Sequence, residues 1–365
     1  MKSHRYALIL AGGSGIRLWP MSRMHLPKQL IPMSDGRSLL QQAVSRVRDI
    51  VPSSNLYICG SEQHRDVVLE AFETKPRFIG EPIGRDTLAA IGLTSAIIAR
   101  SDSTAVIAVY PADQLIEPVA EFQEIIDRGY ELVETNGHAL LTFGIQPDRI
   151  ATGYGYLKMG ERVSEGVFRV SEFREKPNAE TAKQYYLAGP ERYLWNSGMF
   201  VWRASTVLDC IQRYKPLAYE QLMRIADVWN TTSLRGVMEE AYPKLEKVSI
   251  DFGVMEPASK DPTVSVVALP MHLRWFDVGS WNSFGKTLDA DEDGNRVSGA
   301  LTVRLDCQDT LVISSVPEHL FATVGCKDLI VVHTADATLV CHASAAEDIK
   351  RLHADVRMQF GEKFL

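Results

Sequence analysis

The densest group of residues suited to chemistry stands near the start of the chain. The apolar run Tyr6–Leu10 ends in a loop with three glycines within residues 12–15, and two cations follow at Arg17 and Lys28. A strand that runs into a glycine-rich loop presents backbone N–H groups to a ligand above it, and glycine lets that backbone approach closely. Backbone donors beside two fixed positive charges are typical of a polyphosphate site, so this opening predicts polyphosphate binding.

The glycine loop matches neither of the two commonest phosphate motifs. The chain contains no Gly-x-x-x-x-Gly-Lys-Ser/Thr run, and a dinucleotide fingerprint would need glycine where the chain has Leu18. The glycines alone would also fit an ordinary strand-to-helix turn. The prediction therefore depends on Arg17 and on the neighbouring Trp19-Pro20 and Pro27-Lys28-Gln29 segments.

A carboxylate is placed to complement these cations. Asp113 follows the apolar strand predicted at Ala105–Tyr110, in the segment Tyr-Pro-Ala-Asp-Gln. A carboxylate at the end of a strand that faces a phosphate loop suits Mg²⁺, a hard cation that prefers oxygen ligands. The alternative is an aspartate that only caps a turn, since aspartate favours turns at strand ends.

Length and composition exclude several classes of function. With 365 residues and a net charge of −7, the chain suits about two domains and lacks the basic surface of a nucleic-acid-binding protein. No apolar run approaches the ~20 residues that cross a bilayer, and the first residues do not form a signal peptide. The five cysteines are odd in number and lack C-x-x-C spacing, which indicates reduced thiols. We expect a cytoplasmic protein with no membrane or nucleic-acid partner.

Strand and helix patterns alternate up to about residue 290. Such alternation predicts an α/β fold with a doubly wound, mostly parallel sheet, in which ligands bind beyond the carboxyl ends of the strands. The predicted strands are Tyr6–Leu10, Leu56–Cys59, Ala105–Tyr110, Ala139–Gly144, Val167–Arg174, Met199–Trp202 and Val264–Leu269. The predicted helices are Ser38–Asp49, Glu62–Phe72, Thr87–Arg100, Glu121–Glu134, Ala179–Ala188 and Ser205–Arg213.

The composition changes at an acidic, polar segment, residues 289–295. Short β-rich runs then recur every ~9–10 residues with turn residues between them, which is the rhythm of a small β-domain or of β-helix rungs. We predict a domain over residues 1–290 and a β-rich domain over 291–365 that ends in a helix, Ala345–Met358. The predicted strands of the second domain are Ala300–Leu305, Thr310–Ser314, Phe321–Val324, Leu329–His333 and Thr338–Cys341.

The motifs taken together resemble the signature of the sugar-1-phosphate nucleotidyltransferases. Gly-Gly-Ser-Gly-x-Arg-Leu-Trp-Pro with Pro-Lys-Gln is similar to the mannose-1-phosphate guanylyltransferase branch, and Pro-Ala-Asp, Glu-Lys-Pro, Trp-Asn-Ser-Gly and Asp-Val-Gly-Ser-Trp extend the likeness over the chain. The resemblance implies a Rossmann-like catalytic domain followed by a small left-handed β-helix. Because that β-helix often supports dimerisation in the family, we expect a homodimer.

The resemblance also implies a reaction, in which GMP passes from GTP to mannose 1-phosphate to give GDP-mannose and pyrophosphate. A phosphate monoester has a second pKa of about 6 and needs no general base at neutral pH, so the site must position and neutralise charge. The resemblance assigns Arg17 to the triphosphate and the leaving pyrophosphate, and Lys28 to a phosphate contact. It makes Asp277 the second Mg²⁺ ligand beside Asp113.

The resemblance extends to the substrate-binding residues. Glu175 is expected to bind two sugar hydroxyls, Lys176 the sugar phosphate and Asn196 a further hydroxyl, although each of these segments alone also fits a turn or a surface ion pair. The expected sugar-phosphate site is Gly155, Glu175, Lys176 and Asn196. The expected nucleotide site is Leu10, Ala11, Gly12, Gly13, Ser14, Gly15, Arg17, Lys28, Glu81, Gly84, Arg85, Pro111, Ala112 and Asp113.

Two departures from the family pattern leave alternatives open. Asp86 stands where asparagine is usual, which adds negative charge and removes two N–H donors, and Gln114 stands where histidine is frequent. One alternative is the same chemistry on a heptose or cyclitol phosphate or with another nucleotide. A second is a non-catalytic subunit that senses nucleotide sugars, against which the retained Arg17 and Lys28 argue. A third, a metal-dependent glycosyltransferase, would need Asp-x-Asp at a strand end, but Asp289-Ala290-Asp291 lies in the acidic segment.

Overall fold

A large mixed sheet forms the centre of the molecule. The structure, a computed structural model, describes residues 3–13 and 15–365. The strands up to residue 277 are β1 (Arg5–Ala11), β2 (Leu56–Ser61), β3 (Arg77–Glu81), β4 (Val106–Pro111), β5 (Gln114–Glu117), β6 (Ala139–Ile145), β7 (Tyr156–Ser164), β8 (Val167–Arg174), β9 (Tyr193–Arg203), β10 (Ser265–Met271) and β11 (Arg274–Asp277). Nine of them form one sheet in the order β3-β2-β1-β4-β9-β6-β10-β8-β7, and β5 pairs with β11. Only β8 and β9 run against the other seven, so the predicted mostly parallel sheet is confirmed.

Helices cover both faces of this sheet. They are α1 (Leu39–Val47), α2 (Arg65–Glu70), α3 (Thr87–Ser101), α4 (Val119–Thr135), α5 (Ala179–Ala188), α6 (Ala204–Tyr214), α7 (Pro216–Asp227), α8 (Leu234–Ala241), α9 (Glu256–Lys260), α10 (Trp281–Gly285) and α11 (Ile349–Phe360). One apolar core packs α3, α6 and α7 against one face, and a second packs α1 and α4 against the other. None of the helices in the described residues is both long and apolar enough to cross a membrane.

The helix α3 is apolar on every side because it is enclosed on every side. Its residues from Leu88 to Ile98 are all buried, between the sheet and the helices α6 and α7. Gly92 permits this packing, since a Cβ there would lie 2.6 Å from a methyl group of Leu222 in α7. A helix that is hydrophobic all round belongs in a core, whereas the amphipathic α4 lies at the surface.

The parallel strands bring the predicted phosphate residues to one edge of the sheet. The strand β1 ends at the glycine loop, its neighbour β4 ends just before Asp113, and β3 ends at Glu81. These three strands run in the same direction, so their carboxyl ends meet at one edge, where ligands bind in folds of this kind.

The residues after the acidic segment form a small β-helix. Its strands are β12 (Arg296–Ser298), β13 (Leu301–Leu305), β14 (Leu311–Ser314), β15 (Leu320–Val324), β16 (Leu329–His333) and β17 (Thr338–His342). The strands β12, β14 and β16 stack in parallel on one face, β13 and β15 stack in parallel on another, and β17 adds to β16 in the antiparallel direction. The predicted β-helix-like C-terminal fold is confirmed.

One apolar cluster joins the β-helix to α10 and to the residues that follow the glycine loop. Leu18 and Trp19, which follow the glycine loop, pack in one core with Trp281 of α10 and with Leu311 and Ile330 of the β-helix. The indole N–H of Trp281 donates to the backbone carbonyl of Trp19 at 3.0 Å. This core contains residues from before and after residue 290. The domain boundary predicted at that residue therefore stays a prediction.

We expect Trp281→Ala to destabilise the protein strongly, because Trp281 is fully buried in this shared core. Truncation of a buried tryptophan lowers the free energy of unfolding by about 3–5 kcal/mol. Urea denaturation of wild type and variant would measure this loss. The control is Val163→Ala on the exposed strand β7, where the side chain is 55% exposed and the expected change is within about 0.5 kcal/mol. Similar losses in the two variants would contradict a shared core around Trp281.

Candidate active site

The glycine loop after β1 has a backbone that other residues would not adopt easily. Gly13 has φ +94° and Gly15 has φ +63°, both in the left-handed region. A Cβ on Gly15 would also lie 2.5 Å from Cβ of Lys28, so this glycine lets the Lys28 segment approach. Ser14, which was predicted to bind nucleotide, lies outside the described residues.

Lys28 and Asp113 form an ion pair at the mouth of this loop. The Lys28 ammonium lies 2.5 Å from a carboxylate oxygen of Asp113, and the two side chains are only 12% and 22% exposed. Burial lowers the pKa of Lys28, but the negative charges of Asp113 and Asp277 outweigh that effect and raise it. Lys28 therefore keeps a fixed positive charge at neutral pH, as a phosphate contact requires.

The short strands β5 and β11 bring Asp277 beside Asp113. Asp277 pairs with Gln114 in the antiparallel register, and the next backbone N–H, of Val278, donates to the Asp113 carbonyl at 2.9 Å. Burial and the negative charge of Asp113 raise the pKa of Asp277 to about 6. In the described structure no side chain or backbone group donates a hydrogen bond to the Asp277 carboxylate.

This carboxylate pair fits a divalent cation. The described residues contain no cluster of three or more His, Cys, Asp or Glu side chains arranged to hold a metal. Mg²⁺ commonly binds through one or two carboxylates and completes its coordination with water and substrate phosphates. Asp113 and Asp277 supply such a partial set, and the charge of Asp113 adds to burial in raising the pKa of Asp277, a rise that a bound cation would oppose.

A cavity of about 400 Å³ opens above the glycine loop at the carboxyl ends of β1, β3 and β4. Eight of the predicted nucleotide residues line it: Leu10, Gly12, Gly13, Lys28, Glu81, Gly84, Pro111 and Asp113. Ala11 and Ala112 lie buried behind the lining. The guanidinium of Arg85 faces another segment and donates to the carbonyl oxygen of Pro243.

Glu81 presents a buried carboxylate to this cavity. It is the last residue of β3, and its Oε1 accepts a hydrogen bond of 2.6 Å from the hydroxyl of Tyr242. Burial raises the pKa of Glu81, although the Tyr242 hydroxyl and the Arg85 backbone oppose the rise. The carboxylate is thus held in one orientation by a tyrosine that is distant in the sequence.

Arg17 lines a second cavity, of about 380 Å³, on the other side of Asp277. Its guanidinium forms an ion pair of 2.9 Å with Glu347, which precedes α11. A Cβ on Gly279 would lie 3.1 Å from Nη2 of Arg17 and 3.9 Å from Oδ1 of Asp277. Gly279 therefore leaves room for the guanidinium beside Asp277, and Arg17 lines the second cavity.

The four predicted sugar-phosphate residues lie together. A Cβ on Gly155 would lie 2.4 Å from Oε2 of Glu175 and 3.4 Å from Cβ of Asn196, so an added side chain would displace the Glu175 carboxylate. The Lys176 ammonium lies 3.0 Å from Oε1 of Glu175. The Asn196 amide donates to Asp251 at 2.8 Å, and burial together with the charge of Glu175 raises the pKa of Asp251 to about 7.

The two departures from the family pattern occupy different places. Asp86 lines the nucleotide cavity and caps α3, where its carboxylate accepts from the Thr87 N–H at 2.8 Å, and it holds a left-handed backbone of φ +68°. The side chain of Gln114 is turned away from the cavity and donates to the Ser197 carbonyl at 2.6 Å. Of the two, only Asp86 thus adds a charge to this cavity.

Several residues of the site carry no signal that a single sequence reveals. The Thr87 hydroxyl accepts from the backbone N–H of Ile250 at 2.9 Å and so joins the start of α3 to the Asp251 segment. The Gln29 amide donates to the Gly12 carbonyl and fixes the glycine loop. These contacts link segments that are distant in the chain, so local composition does not reveal them.

Comparison with known proteins agrees with this geometry. A family model described as "Nucleotidyl transferase" matches residues 6–294, and one described as "MannoseP isomerase/GMP-like beta-helix domain" matches residues 301–354. The mannose-1-phosphate guanylyltransferase of Escherichia coli (strain K12) is 35% identical over 98% of this chain and 74% of its own length. The mannose-1-phosphate guanylyltransferase ManC of Salmonella typhimurium (strain LT2) is 36% identical over 95% of this chain and 72% of its own.

A solved structure extends the likeness to the whole fold. A protein from Thermus thermophilus, described as a mannose-1-phosphate geranyltransferase, superposes with a TM-score of 0.86 at 29% identity and covers 98% of this chain and 100% of its own. Sequence relatives, family model and architecture therefore agree over nearly the full length. The chain belongs to the nucleotidyl transferase family, in its mannose-1-phosphate guanylyltransferase branch.

Proposed function

We propose that this chain transfers GMP from GTP to mannose 1-phosphate and releases pyrophosphate, with GDP-mannose as the other product. The observation that carries the proposal is the group of Lys28, Asp113 and Asp277 beside the glycine loop, at the edge of a nucleotide-sized cavity. The names of the relatives, which match nearly the whole chain, support the two substrates.

The chemistry asks for positioning and charge neutralisation rather than for a base. The attacking phosphate of the sugar is ionised at neutral pH, since its second pKa is about 6. Lys28 would neutralise the phosphate under attack, the backbone N–H groups of residues 12–15 would bind its oxygens, and Arg17 would stabilise charge on the departing pyrophosphate. Lys28 lies at the mouth of the glycine loop, paired with Asp113, and Arg17 lies beside Asp277.

Asp113 and Asp277 would hold Mg²⁺. When bound, the cation supplies positive charge that neutralises the oxygens of the reacting phosphates. The contribution of the protein is the β5–β11 pair, which fixes the two carboxylates at one place, and Lys28, which keeps Asp113 oriented.

Glu81 offers a physical reason for a preference for guanine. The Watson–Crick edge of guanine carries two adjacent donors, N1–H and the N2 amino group, and a carboxylate accepts such a pair in a bidentate manner. Adenine carries an acceptor at N1, which a carboxylate repels. Because Tyr242 already orients Glu81 within the cavity, we propose that this residue selects the base.

Glu175 and Asn196 are the proposed hydroxyl-binding residues, and Lys176 is the proposed contact for the sugar phosphate. The support is their grouping around Gly155, whose missing side chain leaves a space against Glu175. Asp251 fixes the Asn196 amide so that the amide presents a defined donor and acceptor to a ligand.

We also propose a homodimer formed through one face of the β-helix, on which a second copy of the chain would pack. Five large apolar side chains of β13 and β15 point outward and are 54–69% exposed: Leu301, Val303, Leu305, Leu320 and Val324. The parallel register aligns Leu301 with Leu320 and Leu305 with Val324, so these apolar side chains lie next to one another on one face. Such a patch on a soluble surface indicates an interface, and the commonest closed interface is a two-fold one.

A cytoplasmic location is part of the same proposal. All five cysteines are free, and three of them are buried. Reduced thiols are typical of a reducing compartment, which is also where nucleoside triphosphates are abundant.

We expect the purified protein to release pyrophosphate from GTP and mannose 1-phosphate in the presence of Mg²⁺, and Asp113→Asn to lower kcat by at least about 100-fold, as loss of a key electrostatic group does. The control Asp49→Asn removes an exposed carboxylate and should keep full activity. Thermal unfolding would verify that both variants fold. A wild type that releases no pyrophosphate would contradict the proposed function, and a fully active Asp113→Asn would remove Asp113 from the metal site.

We expect Glu81→Gln to lower kcat/KM for GTP by about 10- to 100-fold, the range for loss of one bidentate base contact, and to reduce the preference for GTP over ATP. Glutamine keeps an acceptor for Tyr242 but replaces one carboxylate oxygen with a donor. Assays with GTP, ATP, UTP and dTTP separately would measure the change, with Glu62→Gln on the surface as the control. An unchanged ratio of GTP to ATP turnover would show that another group reads the base.

We expect Val303→Glu to convert a dimer to a monomer, because a two-fold interface would bury two carboxylates without partners. Analytical ultracentrifugation would measure the mass of wild type and variant. Val163→Glu, at an equally exposed valine of β7, is the matched control and should stay dimeric. A monomeric wild type, or a Val303→Glu protein that stays dimeric, would contradict the proposed interface.

A further inference from the structure

The guanidinium of Arg17 is held by the C-terminal part of the chain. Its Nη1 donates to Oε1 of Glu347 at 2.9 Å, and in the described residues Glu347 is the one group to which Arg17 donates. Arg17 is 35% exposed and Glu347 is 65% exposed. Both residues line the second cavity and are open to solvent there.

The segment that carries Glu347 is fixed on both sides. Ala346 and Ile349, its near neighbours, are buried in the shared apolar core with Leu18 and Trp19. An exposed ion pair on two mobile side chains contributes little, but here the backbone of each partner is immobilised by the same core. Glu347 therefore meets Arg17 at a position that the core sets.

The same segment is tied to the loop that carries Asp277. The amide of Asn282, in α10, donates to the Ala343 carbonyl at 2.9 Å, and α10 follows Asp277 after three residues. The absent side chain of Gly279 leaves Arg17 its place beside Asp277. The segment 343–349 thus contacts both chain regions that supply charge for the phosphates.

We propose that Glu347 is a positioning residue that holds the Arg17 guanidinium beside Asp277 before the nucleotide binds. The inference rests on the proposed function, in which Arg17 neutralises the triphosphate and the pyrophosphate. An arginine without a partner must give up rotamer freedom when a phosphate binds, whereas Arg17 is already ordered by Glu347. The β-helix thereby contributes to phosphate binding through a residue that need not contact the substrate.

The test is a double-mutant cycle between Arg17 and Glu347. Glu347→Ala is expected to raise KM and Kd for GTP by about tenfold and to change kcat less, because ordering one long side chain costs about that much in binding. Glu347→Gln keeps an acceptor for Arg17 and should recover part of the loss. In the Arg17→Ala background, Glu347→Ala should cause no further loss, since the residue on which it acts is gone.

Glu362→Ala is the matched control, because Glu362 pairs with Arg357 in the same C-terminal region and lines neither cavity. Calorimetric Kd values for GTP keep the cycle measurable where Arg17→Ala turns over too slowly. Equal losses in both backgrounds, accompanied by a lower unfolding midpoint, would indicate a structural role and overturn the inference. Tighter GTP binding by Glu347→Ala would also overturn it, as it would mean that Glu347 competes with phosphate. A wild type without pyrophosphate release would contradict the proposed function itself, whereas an active wild type with additive losses would overturn this inference alone.

Discussion

The arrangement of charge around Asp113 constrains the rest of the structure. Asp113 and Asp277 are two carboxylates close together, and Lys28 is the one cation that forms an ion pair with Asp113 in the described residues. Burial and the negative charge of Asp113 raise the pKa of Asp277, and a bound cation would lower it. Holding like charges together needs a rigid frame, which the parallel sheet and the β5–β11 pair provide.

The frame explains why distant segments are built as they are. The glycine loop needs Gly15 so that Lys28 can approach, and Asp277 reaches Asp113 only because β11 pairs with β5. Both segments then pack, through Trp19 and Trp281, on the β-helix. The shared apolar core and the β5–β11 pair therefore together hold the charged residues in place. A substitution in the core is expected to shift the positions of those residues.

The sequence predicts some regular elements in full and does not predict others, among them β3 and β7 of the large sheet. The helix predicted at Ala179–Ala188 and the strands predicted at Val167–Arg174 and Leu329–His333 match α5, β8 and β16 in full, because their patterns are strong and their ends are marked by turn residues. The strands β5 and β11 were missed, since each has four residues and gains its stability from pairing with a partner distant in the chain. The consecutive helices α7 and α8 were missed as well.

The site residues, too, are only partly predictable from local sequence. Gly13 and Asp113 stand next to strong strand patterns, Lys28 stands in the Pro-Lys-Gln segment, and the structure places all three on the cavity above the glycine loop. The orientation of Arg17 toward Glu347, and of Arg85 toward Pro243, depends on contacts with distant segments that local sequence does not encode. Motifs thus identify the residues, and tertiary packing decides where their side chains point.

The most direct measurement is a crystal structure grown with Mn²⁺ and a non-hydrolysable GTP analogue, with anomalous scattering used to locate the metal. Mn²⁺ accepts the same oxygen ligands as Mg²⁺ and gives an anomalous signal that Mg²⁺ lacks. We predict one strong peak bound by carboxylate oxygens of both Asp113 and Asp277 and by a phosphate of the nucleotide. A peak bound by only one of these aspartates, or a nucleotide bound outside the cavity above the glycine loop, would contradict it.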